Sequence, residues 1–463
     1  MNKSKFNLQN TKYKIPNTNH GITLVALIIT IIVLLILAMV SIRLVMNGGI
    51  IGKAESGTQT YKEAEIQEQI KLAYAEWQTA RWTNDAGDAP TFVKNKLNSI
   101  YGEGAVTSVT ESSGIFVVKL SNNKQYIYDS KAGGMLDEFP ISAYPEATPG
   151  TPTTENSKYT SNNKTAVIPA GYTVDATQNS IDNGLVISKA GNEWVWIPVS
   201  NEDFSAMFGT ANDDGWTMSG TDVKTKYKSN SRTDVKSDLT RVTPGDTSGH
   251  REPDVLNNDS YDKNTTNLSA AGLGSNISEM ATNLRNDYKA MMDSVKKNGG
   301  FYIGRYELSS AGTKKNQASL TNTNWYNLYA ACKASSLGAS SVETRMIWGC
   351  QWDAVCNFIH NSGDQVSLTN STSYGNYKNS TVVGHGSKKV TGYSESWKAN
   401  NIYDLAGNCL EWTQEANYAN NRAYRGGSYN SNGVSFPVTS RGSNVNPTYT
   451  DHYLSSRPVL YIK

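Results

Sequence analysis

Charge is scarce in this chain. Asp, Glu, Lys and Arg make up 18% of its 463 residues and nearly cancel, leaving a net +2. No basic stripe is available to neutralise phosphates, which excludes nucleic acid as a partner. Cysteine is scarcer still. Cys332, Cys350, Cys356 and Cys409 all lie in the C-terminal third with no C-x-x-C spacing, which excludes a disulfide framework, a zinc knuckle and a redox pair. Buried thiols acting as small hydrophobes and a single extracellular disulfide both stay open. The five histidines form no H-x-H or H-E-x-x-H group, so a metal hydrolase is excluded. No G-x-S-x-G elbow is present, and Ser428 reads as a turn residue rather than a nucleophile. What the chain has in quantity is Asn, Ser, Thr and 26 tyrosines, a solvated, hydrogen-bonding surface of the kind found outside cells. The length predicts two or three domains.

One apolar run stands out. Residues 21–42 carry no charge, while Lys3, Lys5, Lys12 and Lys14 precede them without an acidic neighbour. Losing those four charges would turn +2 into −2. As a helix the run spans about 33 Å, the thickness of a bilayer core. The preceding lysines keep the leader cytoplasmic and the bulk outside. The run is too long for a secretory signal peptide and no small-residue cleavage site follows. Ile66, Ile70, Ala73, Trp77 and Ala80 then recur at helical spacing and draw one apolar stripe. Gly48, Gly49 and Gly52 mark a flexible step between run and stripe.

Gly21-Ile22-Thr23-Leu24 sits at the polar–apolar boundary, and with the helix that follows it resembles the type IV prepilin motif. The resemblance implies cleavage after Gly21 by a prepilin peptidase and methylation of Ile22. It also implies membrane insertion through residues 22–46, homo- or hetero-oligomers through the helix, and a pilus-like assembly machinery as partner. Ala26 stands where the family usually has a glutamate, a change expected to weaken subunit docking.

Residues 83–138 read as a small β head. Strands are predicted at 105–110, 115–120 and 125–128, with Asn122-Asn123 at a tight turn. Residues 139–164, with Pro140, Pro145, Pro149 and Pro152 among Thr, Ser and Asn, predict an extended linker. The last domain is then 165–463. Within it, the polar stretch 212–276 reads as an inserted surface region, and Ile277 to Val295 as a helix ended by Gly299-Gly300.

Five islands of this last domain occur in order: Asn192 to Val199, Gly300 to Glu307, Trp325 to Trp352, Asn401 to Thr413, and Tyr424 to Tyr429 with Ser456 to Leu460. They resemble the formylglycine-generating-enzyme (sulfatase-modifying factor) family, which implies a loop-rich, C-type-lectin-like fold. The predicted class is therefore α+β: a long pilin-type helix with a small sheet as head, then this domain. Trp194, Trp196, Trp348, Trp352 and Trp412 are expected in the core. The resemblance also implies a calcium ion held by the side chains of Asp404 and Glu411 and the carbonyls of Gly407 and Cys409, a hard-oxygen set that suits that ion. Without calcium, the two acids serve as turn and cap residues.

The family's oxidation needs a cysteine pair just after the Gly-Gly-Ser motif. Here those positions are about Ser431 and Phe436, and no cysteine follows Cys409. No catalytic residue is expected and no copper, because serine cannot supply a thiolate. The tail instead interleaves Tyr, Asn and Ser, the composition of antibody paratopes. Its candidate binding residues are Asn417, Tyr418, Asn420, Asn421, Tyr429, Asn430, Asn432, Asn444, Asn446, Tyr449 and Tyr453. It also resembles the variable region of diversity-generating-retroelement target proteins. The expected protein sits at the cell surface, single-pass or in a pilus, displaying a non-catalytic adhesin or receptor domain for an extracellular protein or glycan. The alternatives are an enzyme of the same superfamily with an altered site, and a structural pilus subunit.

Overall fold

The computed structural model describes residues 50–83, 86–136, 139–201, 203–204, 210–212, 215–217, 265–336, 338–416 and 422–463. The expected leader, the cleavage pair Gly21 and Ile22, Ala26 and the span 22–46 lie outside them. Among the described residues, no helix is long and apolar enough to cross a membrane. The described part is mixed α and β with several small sheets, and it divides into two units, 1–139 and 140–463.

The first unit opens with helix α1 (Ile50–Ala80). Gly52 lies inside this helix rather than at a break; Gly48 and Gly49 are outside the described residues. Of the expected stripe, Ile70 and Ala73 are fully buried, and Ile66 and Trp77 pack at the margin. A second helix, α2 (Ala89–Tyr101), forms inside the stretch expected as a β head. Asp88 caps it through Thr91 N at 2.9 Å, and a proline sits in its first turn, the two signals that start a helix. An antiparallel meander follows: β1 (Val106–Ser112), β2 (Ile115–Leu120), β3 (Gln125–Asp129) and β4 (Gly134–Leu136). Asn123 takes a left-handed φ of 65° in the β2–β3 turn, a conformation asparagine tolerates better than most residues. Phe116, Val118, Tyr126 and Tyr128 close the core against both helices.

The second unit begins inside the stretch expected as linker. Ala143, Ala147 and Ser157 are buried, and residues 157–161 form β5 (Ser157–Ser161), paired with β6 (Lys164–Ile168). Four prolines gave this segment a spacer's composition, but its small side chains pack under a sheet. That sheet has the order β13-β20-β12-β9-β8-β7. Its strands in chain order are β7 (Thr173–Val174), β8 (Val186–Lys189), β9 (Asn192–Pro198), β12 (Gly300–Gly304), β13 (Val342–Met346) and β20 (Pro458–Ile462). Between β9 and β12 stand the hairpin β10 (Thr210–Asn212) and β11 (Gly215–Thr217), then α3 (Thr265–Ala270) and α4 (Ile277–Asn298).

Period-two alternation divides this sheet's residues cleanly. Trp194, Trp196, Tyr302, Leu460 and Ile462 face one core with Val167 and Ile168. Val195, Ile197, Phe301, Ile303, Val459 and Tyr461 face the other. There they meet α4, α5 (Trp325–Ala334) and α6 (Gly349–Asn361). Gly299 ends α4 in the left-handed conformation, as its sequence predicts. The expected insertion is only partly an insertion: Leu268, Ala271 and Leu273 at its C-terminal end are core residues. All five expected tryptophans are buried. Between α6 and β20 stand the pair β14 (Lys398–Ala399) and β15 (Ile402–Tyr403), and a smaller sheet ordered β18-β17-β16-β19. Its strands are β16 (Leu410–Ala416), β17 (Arg422–Arg425), β18 (Arg441–Val445) and β19 (Leu454–Ser456).

Candidate functional site

The site is built on the turn between β15 and β16. Asp404 and Asn408 both adopt left-handed φ, at 56° each. Gly407 is required there, since a Cβ would collide with the backbone of Asn376. Asn408 is the hub of the turn. Its Nδ2 donates to Glu307 Oε2 at 2.7 Å, and its Oδ1 accepts from Asn376 Nδ2 and Lys389 N, each at 3.0 Å. Its carbonyl accepts the Tyr429 N–H at 3.0 Å, tying the tail to the turn. The Gly426-Gly427 corner lets the chain make this contact. A Cβ on Gly427 would lie 2.6 Å from Phe436 O.

Beneath the turn lie three fully buried carboxylates, Glu307, Asp404 and Glu411, and one buried guanidinium. Arg457 Nε reaches Glu411 Oε2 at 3.0 Å, and Nη2 reaches Oε1 at 2.6 Å. Its remaining donors go to the carbonyls of Gly304 and Tyr403, both at 2.9 Å. Burial pushes Asp404 up to about 7, against the Gly392 N–H at 2.7 Å and the Arg457 charge. Burial and the neighbouring carboxylates of Asp404 and Glu411 raise Glu307 well above the usual range. Both acids implied as calcium ligands have partners within the protein: Asp404 Oδ2 accepts the Gly392 N–H and Glu411 pairs with Arg457. Both oxygens of Glu411 are held by Arg457, and among the described residues no group of three or more acid, His or Cys side chains is arranged around a metal position. The Arg457 guanidinium supplies positive charge beside the three carboxylates.

A second buried network secures the strands that carry the tail. Arg425 pairs with Asp353 and lies 3.5 Å from Glu415, while Arg441 Nε is 2.8 Å from Glu415 Oε1. Two acids and two bases cancel. Arg422 lies over the Trp325 ring at 4.3 Å, a close cation–π contact. All four cysteines are buried and none is in a disulfide. Burial pushes the Cys332 and Cys356 thiols up to about 12, and raises Cys409 well above its ordinary value. Each is thereby kept as a thiol, not a thiolate.

Above this base, part of the predicted tail converges. Tyr449 Oη donates to Asp451 Oδ2 at 2.7 Å, and burial together with the same carboxylate raises the Tyr453 hydroxyl above its ordinary value. His452 Nδ1 lies 2.7 Å from Asp451 Oδ1. The His452 ring stands 5.0 Å from that of Tyr453 and 6.4 Å from that of Tyr429. Three tyrosines from two separate stretches thus meet around one acid and one imidazole. The asparagines behave differently. Asn432 Oδ1 accepts from Val434 N at 2.9 Å and Asn446 Oδ1 from Thr448 N at 2.9 Å, so each spends its acceptor on its own turn. Asn430 is exposed. Asn417, Tyr418, Asn420 and Asn421 lie outside the described residues, as does the side chain of Asn444.

Asp451, His452 and Asn408 were not legible as site residues. Neither their type nor their spacing distinguishes them from other loop polar residues. A cleft of ≈ 420 Å³ lined by Lys164, Asp203, Asn357 and Phe358 among others includes none of the expected site residues.

No protein-family model matches the sequence, and no curated protein matches it. Among solved structures the chain is similar to variable protein 1 of Treponema denticola, at 16% identity over 36% of this chain and 85% of that one, with a TM-score of 0.25. It is similar to CarF at 16% identity, over 35% and 87%, with a TM-score of 0.24. It is also similar to the U1 variant of the major tropism determinant at 12% identity, over 78% and 84%, with a TM-score of 0.27. These low TM-scores decide neither fold nor function.

Proposed function

We propose that the second unit is a non-catalytic recognition module, of C-type-lectin-like architecture, held at the cell surface by a prepilin-like N-terminal segment. The observation that carries the reading is the meeting of Tyr429, Tyr449 and Tyr453 around Asp451 and His452 on a base of buried ion pairs. Tyrosines held in this way offer amphipathic contact area at small entropic cost on binding. The chemistry that would compete with this reading lacks its groups. The positions where the resembled family has its cysteines are here about Ser431 and Phe436, and burial raises the thiols of Cys332, Cys356 and Cys409. The surface location rests on the sequence: Gly21-Ile22 at the edge of an uncharged run behind four lysines.

Two experiments test the two halves. Tyr429→Ala with Tyr449→Ala should abolish adhesion of the displayed protein to cells or glycan arrays. Unfolding free energy should change by no more than about 1 kcal/mol at exposed Tyr449 and by about 0.5–3 kcal/mol at half-buried Tyr429. Undiminished adhesion would move the recognition site elsewhere. Mass analysis of the mature protein should find Ile22 at its N-terminus; a retained 1–21 segment in cells with an active prepilin peptidase would refute the prepilin reading.

A further inference from the structure

Beyond the tyrosine cluster, the same surface has an uneven distribution of charge and apolar area. Among the described residues of the second unit, the large hydrophobic side chains that are exposed are Val383, Val390, Tyr393, Val434 and Tyr449. All fall between positions 383 and 449, although the unit runs from 140 to 463. Val383 is 92% exposed and Val434 50%, which no packing requirement explains.

The chain next to Val383 and the chain next to Val434 both meet Thr372: Thr381 N donates to Thr372 O at 2.9 Å, and a Cβ on Gly433 would lie 3.1 Å from Thr372 Cγ2, while one on Gly384 would lie 3.3 Å from the Tyr393 ring. Ser371 N donates to Gly433 O at 3.0 Å and Lys378 N to Ser431 O at 3.0 Å. Lys388 Nζ donates to His452 O at 3.1 Å, beside the tyrosines. Lys389 Nζ sits 5.1 Å from the centre of the Tyr393 ring.

Acids are almost missing from this surface. Asp and Glu make up 41 of the 463 residues, yet none occurs in 365–394 or 426–450, where Lys378, Lys388 and Lys389 lie. The bordering acids are engaged: Asp451 by its tyrosines and His452, and Glu395 by Lys315, Lys398 and Tyr403. The patch is therefore apolar and aromatic with a basic rim. Glycans stack on aromatic rings, but exposed valines add aliphatic area of the kind that fits another protein's side chains. Lysines at a rim steer a partner of opposite sign and make its capture sensitive to salt.

We propose that the partner recognised by this surface is a protein presenting carboxylates to the Lys378, Lys388 and Lys389 rim and apolar side chains to the valines and tyrosines. This rests on the recognition reading above and adds the chemistry of its partner.

The test uses the full chain, immobilised, with three soluble probes: a random copolymer of glutamate and tyrosine, a lysine–tyrosine copolymer of equal length, and hyaluronan. The glutamate–tyrosine copolymer should bind, weaken with added salt, and bind at least about tenfold more tightly than the other two. Joint Lys378→Glu, Lys388→Glu and Lys389→Glu should weaken it on the order of tenfold, the sum of three exposed charge contacts. The corresponding Lys→Gln variants should weaken it less and keep the tyrosine cluster's fold as a control. No binding of that copolymer, or equal binding of both copolymers, overturns the proposal. Hyaluronan binding as tightly would replace the protein by an acidic polysaccharide. If charge reversal leaves binding intact while Tyr429→Ala with Tyr449→Ala removes it, the inference fails and the recognition reading stands. If neither change matters, both fail.

Discussion

The two units hold themselves together by different means. In the first, neighbouring elements in sequence pack on one another: two helices and a four-stranded meander around Ile70, Val93, Phe116 and Val118. Its backbone groups are mostly satisfied by helix and ladder hydrogen bonds. In the second, the segment from 362 to 409 has little regular structure, and side chains do that work. Asn400 alone accepts from Asp364 N at 2.8 Å and donates to Ser362 O at 3.0 Å. Asn401 Nδ2 donates to Gly184 O at 2.9 Å, and Asn376 Nδ2 to Ser387 O at 2.9 Å. Burying a backbone N–H or C=O without a partner is costly, so a loop-rich core needs amides, hydroxyls and guanidinium groups inside it. The abundance of asparagine in this chain is in part an interior requirement, not only a surface property.

Breaking each unit at its own kind of anchor should sharpen the contrast. The largest effect is expected in the second unit. Arg457→Met strands both Glu411 oxygens and removes the counter-charge of three buried acids. The loss should be about 3–5 kcal/mol, read by denaturation, with hydrogen exchange showing protection lost beyond residue 140 and kept in the first unit. A loss below about 1 kcal/mol would mean the network contributes nothing net. In the first unit Ile70→Ala should cost about 2–4 kcal/mol through the cavity it leaves, and exchange should then accelerate in the meander instead. Asn400→Ala, on the surface of no helix or strand, should still cost about 1–3 kcal/mol, because it leaves buried backbone groups unpaired.

A pH series separates the units further. Asp404 is raised to about 7 in the folded state, from an ordinary carboxylate value near 3.8. The folded chain therefore holds a proton that the unfolded chain has lost between those values. Stability of the second unit should fall as pH rises from about 4 to 7, by up to about 1.4 kcal/mol per pH unit from this group, with the raised Glu307 and Glu411 acting in the same sense. Glu395, lowered to about 2 by its hydrogen bonds from Lys315, Tyr403 and Lys398 despite partial burial, acts in the opposite sense but below that window. Asp404→Asn should flatten the slope, and a slope unchanged by it would assign the effect to another group. The smallest effect concerns calcium. With Glu411 committed to Arg457, millimolar calcium should leave the melting temperature where a chelator leaves it; a rise with calcium would show a site that the described residues do not form.

Much of the outline was legible from residue patterns alone. Helical spacing from Ile277 to Val295 marked α4, with Gly299 ending it. Asn122-Asn123 located the turn between β2 and β3. These succeed because the periods of helix and strand, and the tolerance for left-handed φ, are local properties that nearby residues express directly. Composition misled where local signals were weak. Prolines and threonines in 139–164 resembled a spacer, although Ala147 and Ser157 are buried under the sheet, and α2 went unread despite Asp88 and its first-turn proline.

The sequence by itself determined which stretches could be strand or helix, which tryptophans were core, and that no cysteine follows Cys409. It could not say which charges meet. Glu411 and Arg457 are 46 positions apart and Glu307 more distant still, so only the closing of β20 beside β12 and of β19 beside β16 brings them together. Tertiary structure likewise decided which tail residues face outward as a group, selecting Tyr429, Tyr449 and Tyr453 while Asn432 and Asn446 turned back on their own loops. The physical reason is range: propensity and periodicity act over a few residues, whereas a buried ion pair or a shared surface depends on contacts that exist only once the chain has folded.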